Sequence, residues 1–169
     1  INYKFINAFY ENPKIITLIR NPVDIFSSME KKFRNATLKS SDIQIPGELK
    51  NTSLEKRIDF WVNTPPVGLA FERLQEIIRM DIHSRILFIK YEELCTNPNL
   101  EIDKFYKFIE ISKNSKIDFN DITQVTHEND SIYGIFGDHK IRSEFIPNKS
   151  DAEEILGNKL IKWIENRYS

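Results

Sequence analysis

Apolar residues recur along this chain at two spacings, one helical and one extended. Phe5, Ile6 and Phe9 follow the helical interval, so residues 1–11 read as the end of a helix. Asn12-Pro13 marks a turn. Residues 14–20, Lys-Ile-Ile-Thr-Leu-Ile-Arg, form a short β-branched run of the kind found in a buried parallel strand. Asn21-Pro22 ends that run, because proline cannot sit in a central strand but suits the first turn of a helix. Residues 24–32 then read as a helix, with Ile25, Ser28, Met29 and Phe33 along one side.

Residues 35–52 are rich in Asn, Ser and Lys and contain Pro46-Gly47, which predicts a long loop of the kind that often serves function. From Ser53, the positions of Leu54, Ile58, Trp61 and Val62 predict a second helix, interrupted by Pro65-Pro66. Leu69, Leu74, Ile77 and Ile78 carry a further helical face. A second strand is expected over residues 85–91, and Asn97-Pro98 opens a helix with Leu100, Ile102, Phe105, Phe108 and Ile109 on its apolar side. Residues 112–137 are irregular and polar, with room for a short helix at 120–126. Residues 151–168 are amphipathic through Ile155, Leu156, Leu160, Ile161 and Ile164. Strands alternating with helices predict an α/β fold, a parallel sheet flanked by helices, in one domain over residues 1–169. Two strands make a thin sheet, and the chain starts at Ile1 rather than Met, so the domain is expected to be N-terminally incomplete.

Composition narrows the function classes. The chain is 40% hydrophobic and 29% charged, enough for a packed core under a solvated surface. Its formal net charge of −1 argues against a general nucleic-acid binder, yet leaves room for a local cationic pocket. One cysteine, Cys95, cannot form an internal disulfide; it reads as a small core or loop residue, and a reducing, cytoplasmic compartment fits it best. No apolar run approaches the ~20 residues of a membrane span, and no signal peptide is visible. His83, His127 and His139 are scattered, so no metal site is expected.

The chemistry concentrates in Arg20-Asn-Pro-Val-Asp-Ile-Phe-Ser-Ser28. Arg20 stands at the carboxyl end of a predicted strand, where open α/β sheets bind ligands, and Ser28 follows on the next helix. An arginine fork suits a phosphate, and a serine hydroxyl can add a bond to it. The same pattern would also serve a capped helix with Arg20 paired to Asp24. Arg-Asn-Pro-x-Asp with serine eight residues after the arginine resembles the 3′-phosphate motif of sulfotransferases that use 3′-phosphoadenosine-5′-phosphosulfate (PAPS). The resemblance implies that Arg20 and Ser28 bind the donor's 3′-phosphate. Residues 85–94, with Tyr91-Glu-Glu-Leu94, look like that family's strand ending in Tyr-Glu-Asp-Leu, which implies Tyr91 against the adenine. Glu92 and Glu93 read as a helix-start or salt-bridge pair. Gly134-Ile-Phe-Gly137-Asp-His-Lys140 is similar to the family's Gly-x-x-Gly-Asp-Trp-Lys loop. The basic positions before its first glycine are Ile132 and Tyr133 here, so Lys140 and Arg142 are expected to supply the charge, and His139 replaces the tryptophan.

The resemblance spans roughly residues 14–140 and implies a P-loop NTPase-like sulfotransferase fold. The family's Lys-Ser-Gly-Thr-Thr loop for the 5′-phosphosulfate does not occur in the 169 residues, and neither does Gly-x-x-x-x-Gly-Lys-Ser/Thr. That loop and the catalytic base are expected upstream of Ile1, which would leave this segment inactive alone. The implied reaction moves a sulfuryl group from PAPS to a hydroxyl or amine of a small-molecule or glycan acceptor, without a metal. Residues 35–52 and 112–130 are the expected acceptor loops. The alternative is a non-catalytic sulfotransferase-like module that binds nucleotide or a partner. A small kinase would need a phosphate loop and magnesium carboxylates, and neither stands out.

Overall fold

Two short apolar runs with no side-chain charge at their centres become the strands. Strand β1 (Ile15–Ile19) and strand β2 (Ile86–Lys90) lie parallel and in register, from Ile15 opposite Ile86 to Ile19 opposite Lys90. The computed structural model describes residues 3–39, 49–80, 82–113, 117–119 and 151–168. Among these, the sheet has two strands. A parallel pair needs a long crossover, and here it runs through three helices: α2 (Pro22–Lys39), α3 (Leu54–Asn63) and α4 (Val67–Arg79). Helix α1 (Tyr3–Phe9) precedes β1, and the Tyr3 hydroxyl accepts a bond from Arg85 just before β2. After β2 come α5 (Tyr91–Thr96) and α6 (Pro98–Ile109), then α7 (Ala152–Leu156) and α8 (Asn158–Tyr168).

The main core joins residues far apart in sequence. Val23 and Phe26 of α2 pack with Ile58 of α3, Ala152 and Leu156 of α7, and Leu160 and Ile164 of α8. Tyr168 stacks on Phe71 of α4, with ring centroids 5.3 Å apart, and Phe26 lies against both rings. Beside this apolar cluster Glu30, with no exposed surface, takes two bonds from Arg57 at 2.6 and 2.9 Å and one from Arg34 at 2.8 Å. Arg57 also donates to the Thr52 carbonyl and lies over the Phe33 ring. Lys14 fastens the start of β1 to the end of α6, donating to the Phe108 carbonyl at 2.7 Å and to Glu110 at 2.9 Å.

Local chemistry sets the helix ends. The Ser53 hydroxyl caps α3 by accepting from the Lys56 amide. The Pro65–Pro66 peptide is cis, and α4 starts just after it. A side chain at Gly68 would overlap the Val62 carbonyl oxygen, so only glycine lets α4 pass this close to α3.

Several expectations need correction. The helix expected over 24–32 begins at Pro22 and runs on to Lys39, so the predicted loop loses its first residues; no proline or glycine stands before Pro46 to stop the helix. The amphipathic segment 151–168 is two helices rather than one, broken at Gly157, whose φ of 76° few other residues adopt. Strand β1 is only half covered, with Ile16 at 39% and Leu18 at 64% exposure, since β2 alone pairs with it among the described residues. Leu69, Ile78 and Leu100 turn outward, while Phe71 on α4 packs against the core and Glu101 on α6 is buried beside Lys104. The candidate helix at 120–126 lies outside the described residues.

Candidate functional site at the strand ends

Register decides which side chains meet at the carboxyl edge of the sheet. Ile19 and Lys90 are the last pair, so Arg20 and Tyr91 leave the two strands at the same level. The Arg20 guanidinium carbon lies 4.7 Å from the centre of the Tyr91 ring, a cation–π distance. Arg20 Nε is buried and has no hydrogen-bond partner. A buried donor of this kind costs stability unless something accepts from it. Asp24 is not that partner, so the simple Arg20–Asp24 pairing does not form.

The turn after Arg20 is pinned by Asn21. Its side-chain oxygen accepts from the Val23 amide at 2.9 Å, and its carbonyl accepts from the Ile25 amide at 3.1 Å. Asn21 therefore caps α2, with Pro22 in the first helical position, where its missing N–H costs nothing. The Asn21 amide itself donates to Glu92 Oε1 at 2.9 Å. Ser28 is half-buried on the second turn of α2, beside the buried Ser27, and makes no hydrogen bond to Arg20.

Tyr91 is the first residue of α5 rather than the last of β2. The two acids after it fill the first turn of that helix, where carboxylates offset the helix dipole. Glu93 pairs with Lys90 at 3.3 Å and Lys104 at 3.8 Å, while Glu92 turns to Asn21. The helix-start reading thus holds for both acids and the salt-bridge reading for Glu93, while Glu92 makes a longer-range bond as well. Its only sequence signal is its place directly after Tyr91. Cys95 is buried in α5.

Gly134, Gly137, Lys140 and Arg142 lie outside the described residues, as do Ile132, Tyr133, His127 and His139. His83 is exposed in a short 3-10 turn before β2. Among the described residues, no group of three or more His, Cys, Asp or Glu is placed to hold a metal ion, and no helix is long and apolar enough to cross a membrane.

The strand ends thus set a cationic fork with an unmet donor against an aromatic face. Such a pair can hold an anion through the guanidinium and a flat ring through the phenol. Searches among curated proteins and solved structures gave no match. A family model described as a sulfotransferase domain matches residues 3–151. That span holds both strands, the Arg20 turn and Tyr91, and it covers most of the chain: the protein belongs to the sulfotransferase family.

Proposed function

We propose that the protein transfers a sulfuryl group from PAPS to a hydroxyl or amine of a small-molecule or glycan acceptor, and that the described site grips the donor's adenosine 3′-phosphate. The observation that carries this reading is the buried, unpartnered Arg20 Nε beside the Tyr91 ring. A phosphate oxygen would satisfy that donor, and the planar fork can take two oxygens at once. Ser28 adds a hydroxyl from α2, and Tyr91 lies against the adenine. Gly134, Gly137, Lys140 and Arg142 are assigned to the same nucleotide from their motif. Glycine there would let backbone N–H groups approach the anion closely.

PAPS supplies the activated sulfuryl group, with adenosine 3′,5′-bisphosphate as the leaving product. The residues at the strand ends bind and orient that nucleotide, so that the acceptor oxygen or nitrogen meets the sulfur in line. A base must take the acceptor proton, and cationic donors must meet the charge on the leaving phosphate. No described residue is assigned as that base. A buried, unpaired Cys95 supports a reducing compartment such as the cytoplasm.

Calorimetric titration tests the donor reading. Adenosine 3′,5′-bisphosphate should bind far more tightly than adenosine 5′-monophosphate. Arg20→Ala should weaken the bisphosphate by about 1.5–3 kcal/mol and leave the monophosphate little changed. Equal affinity for the two nucleotides would defeat the proposal.

A further inference from the structure

We infer that Glu92 is a positioning residue for donor selectivity: by holding the Asn21 amide it fixes Arg20 relative to Tyr91. The inference rests on the donor reading above. Strand pairing brings Arg20 and Tyr91 to one level but ends at Ile19 with Lys90, so it does not by itself orient the two side chains. Beyond it, one chain turns into α2 and the other enters α5. The bond from the Asn21 amide to Glu92 Oε1, 2.9 Å long, spans that gap across 71 positions of sequence.

The peptide plane explains why this bond matters. The Arg20 Cα and carbonyl share one rigid plane with the Asn21 N–H. Holding that N–H therefore holds the Arg20 Cα, from which the side chain departs. At the other end, Glu92 directly follows Tyr91 in the first turn of α5. One hydrogen bond thus links the two turns that carry the partners of the cation–π pair. The Asn21 side-chain oxygen and carbonyl tie the residue to α2, so the Glu92 bond links the start of α2 to the start of α5.

The role is that of an acceptor rather than of a charge. A carboxylate beside a phosphate site repels the ligand, so its charge works against binding. Glutamine keeps an acceptor oxygen of the same reach and drops that charge. Glu92→Gln should therefore retain selectivity, and Glu92→Ala should lose it.

The experiment is calorimetry on the purified wild type, Glu92→Ala and Glu92→Gln, each with adenosine 3′,5′-bisphosphate and adenosine 5′-monophosphate. The readout is the ratio of the two affinities, which a general loss of stability would not change in the folded protein. Expected is a ratio lowered roughly tenfold in Glu92→Ala and close to wild type in Glu92→Gln. A selective wild type with an unchanged ratio in Glu92→Ala would overturn the role of Glu92 and leave the donor reading standing. Equal losses in Glu92→Gln and Glu92→Ala would overturn the acceptor account. An unselective wild type would instead remove the donor reading itself. Should Glu92→Ala not fold, Glu92→Asp, one methylene short of Asn21, is expected to show the same lowered ratio, and an unchanged ratio there overturns the inference.

Discussion

Lys14 is a single residue with three attachments. It donates to the Phe108 carbonyl, pairs with Glu110 and lies over the Phe108 ring, so it anchors the first strand to the last turn of α6. The hydrogen bond and charge of Lys14 hold the Glu110 carboxyl below its usual range. A carboxyl depressed in the folded state binds its proton more readily when unfolded. Its contribution is therefore present above the unfolded value and is lost as pH falls through the depressed one. Lys14→Met should lower the melting temperature at neutral pH, and the gap to wild type should narrow as the pH drops through the carboxylate range. Thermal melts of both proteins from neutral to acid pH would check this; a constant gap would mean that the ion pair adds nothing. At this scale the placing of Arg20 and Tyr91 at the strand ends was legible, because each directly follows an apolar run at a recognisable motif. The partner of Glu92 was not, since a bond across 71 positions leaves no local pattern.

Between elements, the decisive contact is the buried ion pair joining α2 to α3. Glu30 and Arg57 meet through two hydrogen bonds, at 2.6 and 2.9 Å, on the same helix that carries Ser28. Removing one partner strands a charge away from water. Arg57→Met should destabilise the protein by about 3–5 kcal/mol in urea titration, and the double variant Glu30→Leu/Arg57→Met should recover much of that loss. A small loss in the single variant would show that Arg34 alone can compensate Glu30. Periodicity revealed α3 and its Ser53 start, because a serine before an apolar repeat is a local signal. It missed the full length of α2, whose later turns carry few apolar residues, and it ran α7 and α8 together across Gly157. A helical repeat can continue in phase through a break that only the backbone angle of one glycine records.

Across the whole molecule, the two strands present the candidate site, while the main core that steadies α2 is built from the far end of the chain. Ile164 of α8, fully buried, belongs to the same cluster as Phe26 of α2. Ile164→Ala should cost about 2–5 kcal/mol by denaturant titration. Nucleotide affinity of the folded fraction should stay unchanged, because Ile164 packs in the core cluster, to which Arg20, Ser28 and Tyr91 do not belong. A change in affinity at full folding would show that α8 also shapes the site. Parallel order and the α/β class were readable from two β-branched runs separated by helices. The pairing of α2 with α7 and α8 was not, because an amphipathic helix shows that it has a partner but not which one.

That pairing also orders events during synthesis. When Phe26 leaves the ribosome, its partners at Leu160 and Ile164 have yet to be made. At ~5–20 residues per second, α2 waits roughly 10–30 seconds with that part of its apolar side covered only by α3 and α4. The same long separation slows folding of the finished chain, since distant contacts must close large loops first. The nascent protein therefore carries part of the apolar side of α2 exposed until α7 and α8 arrive, an interval in which chaperones have an apolar surface to hold.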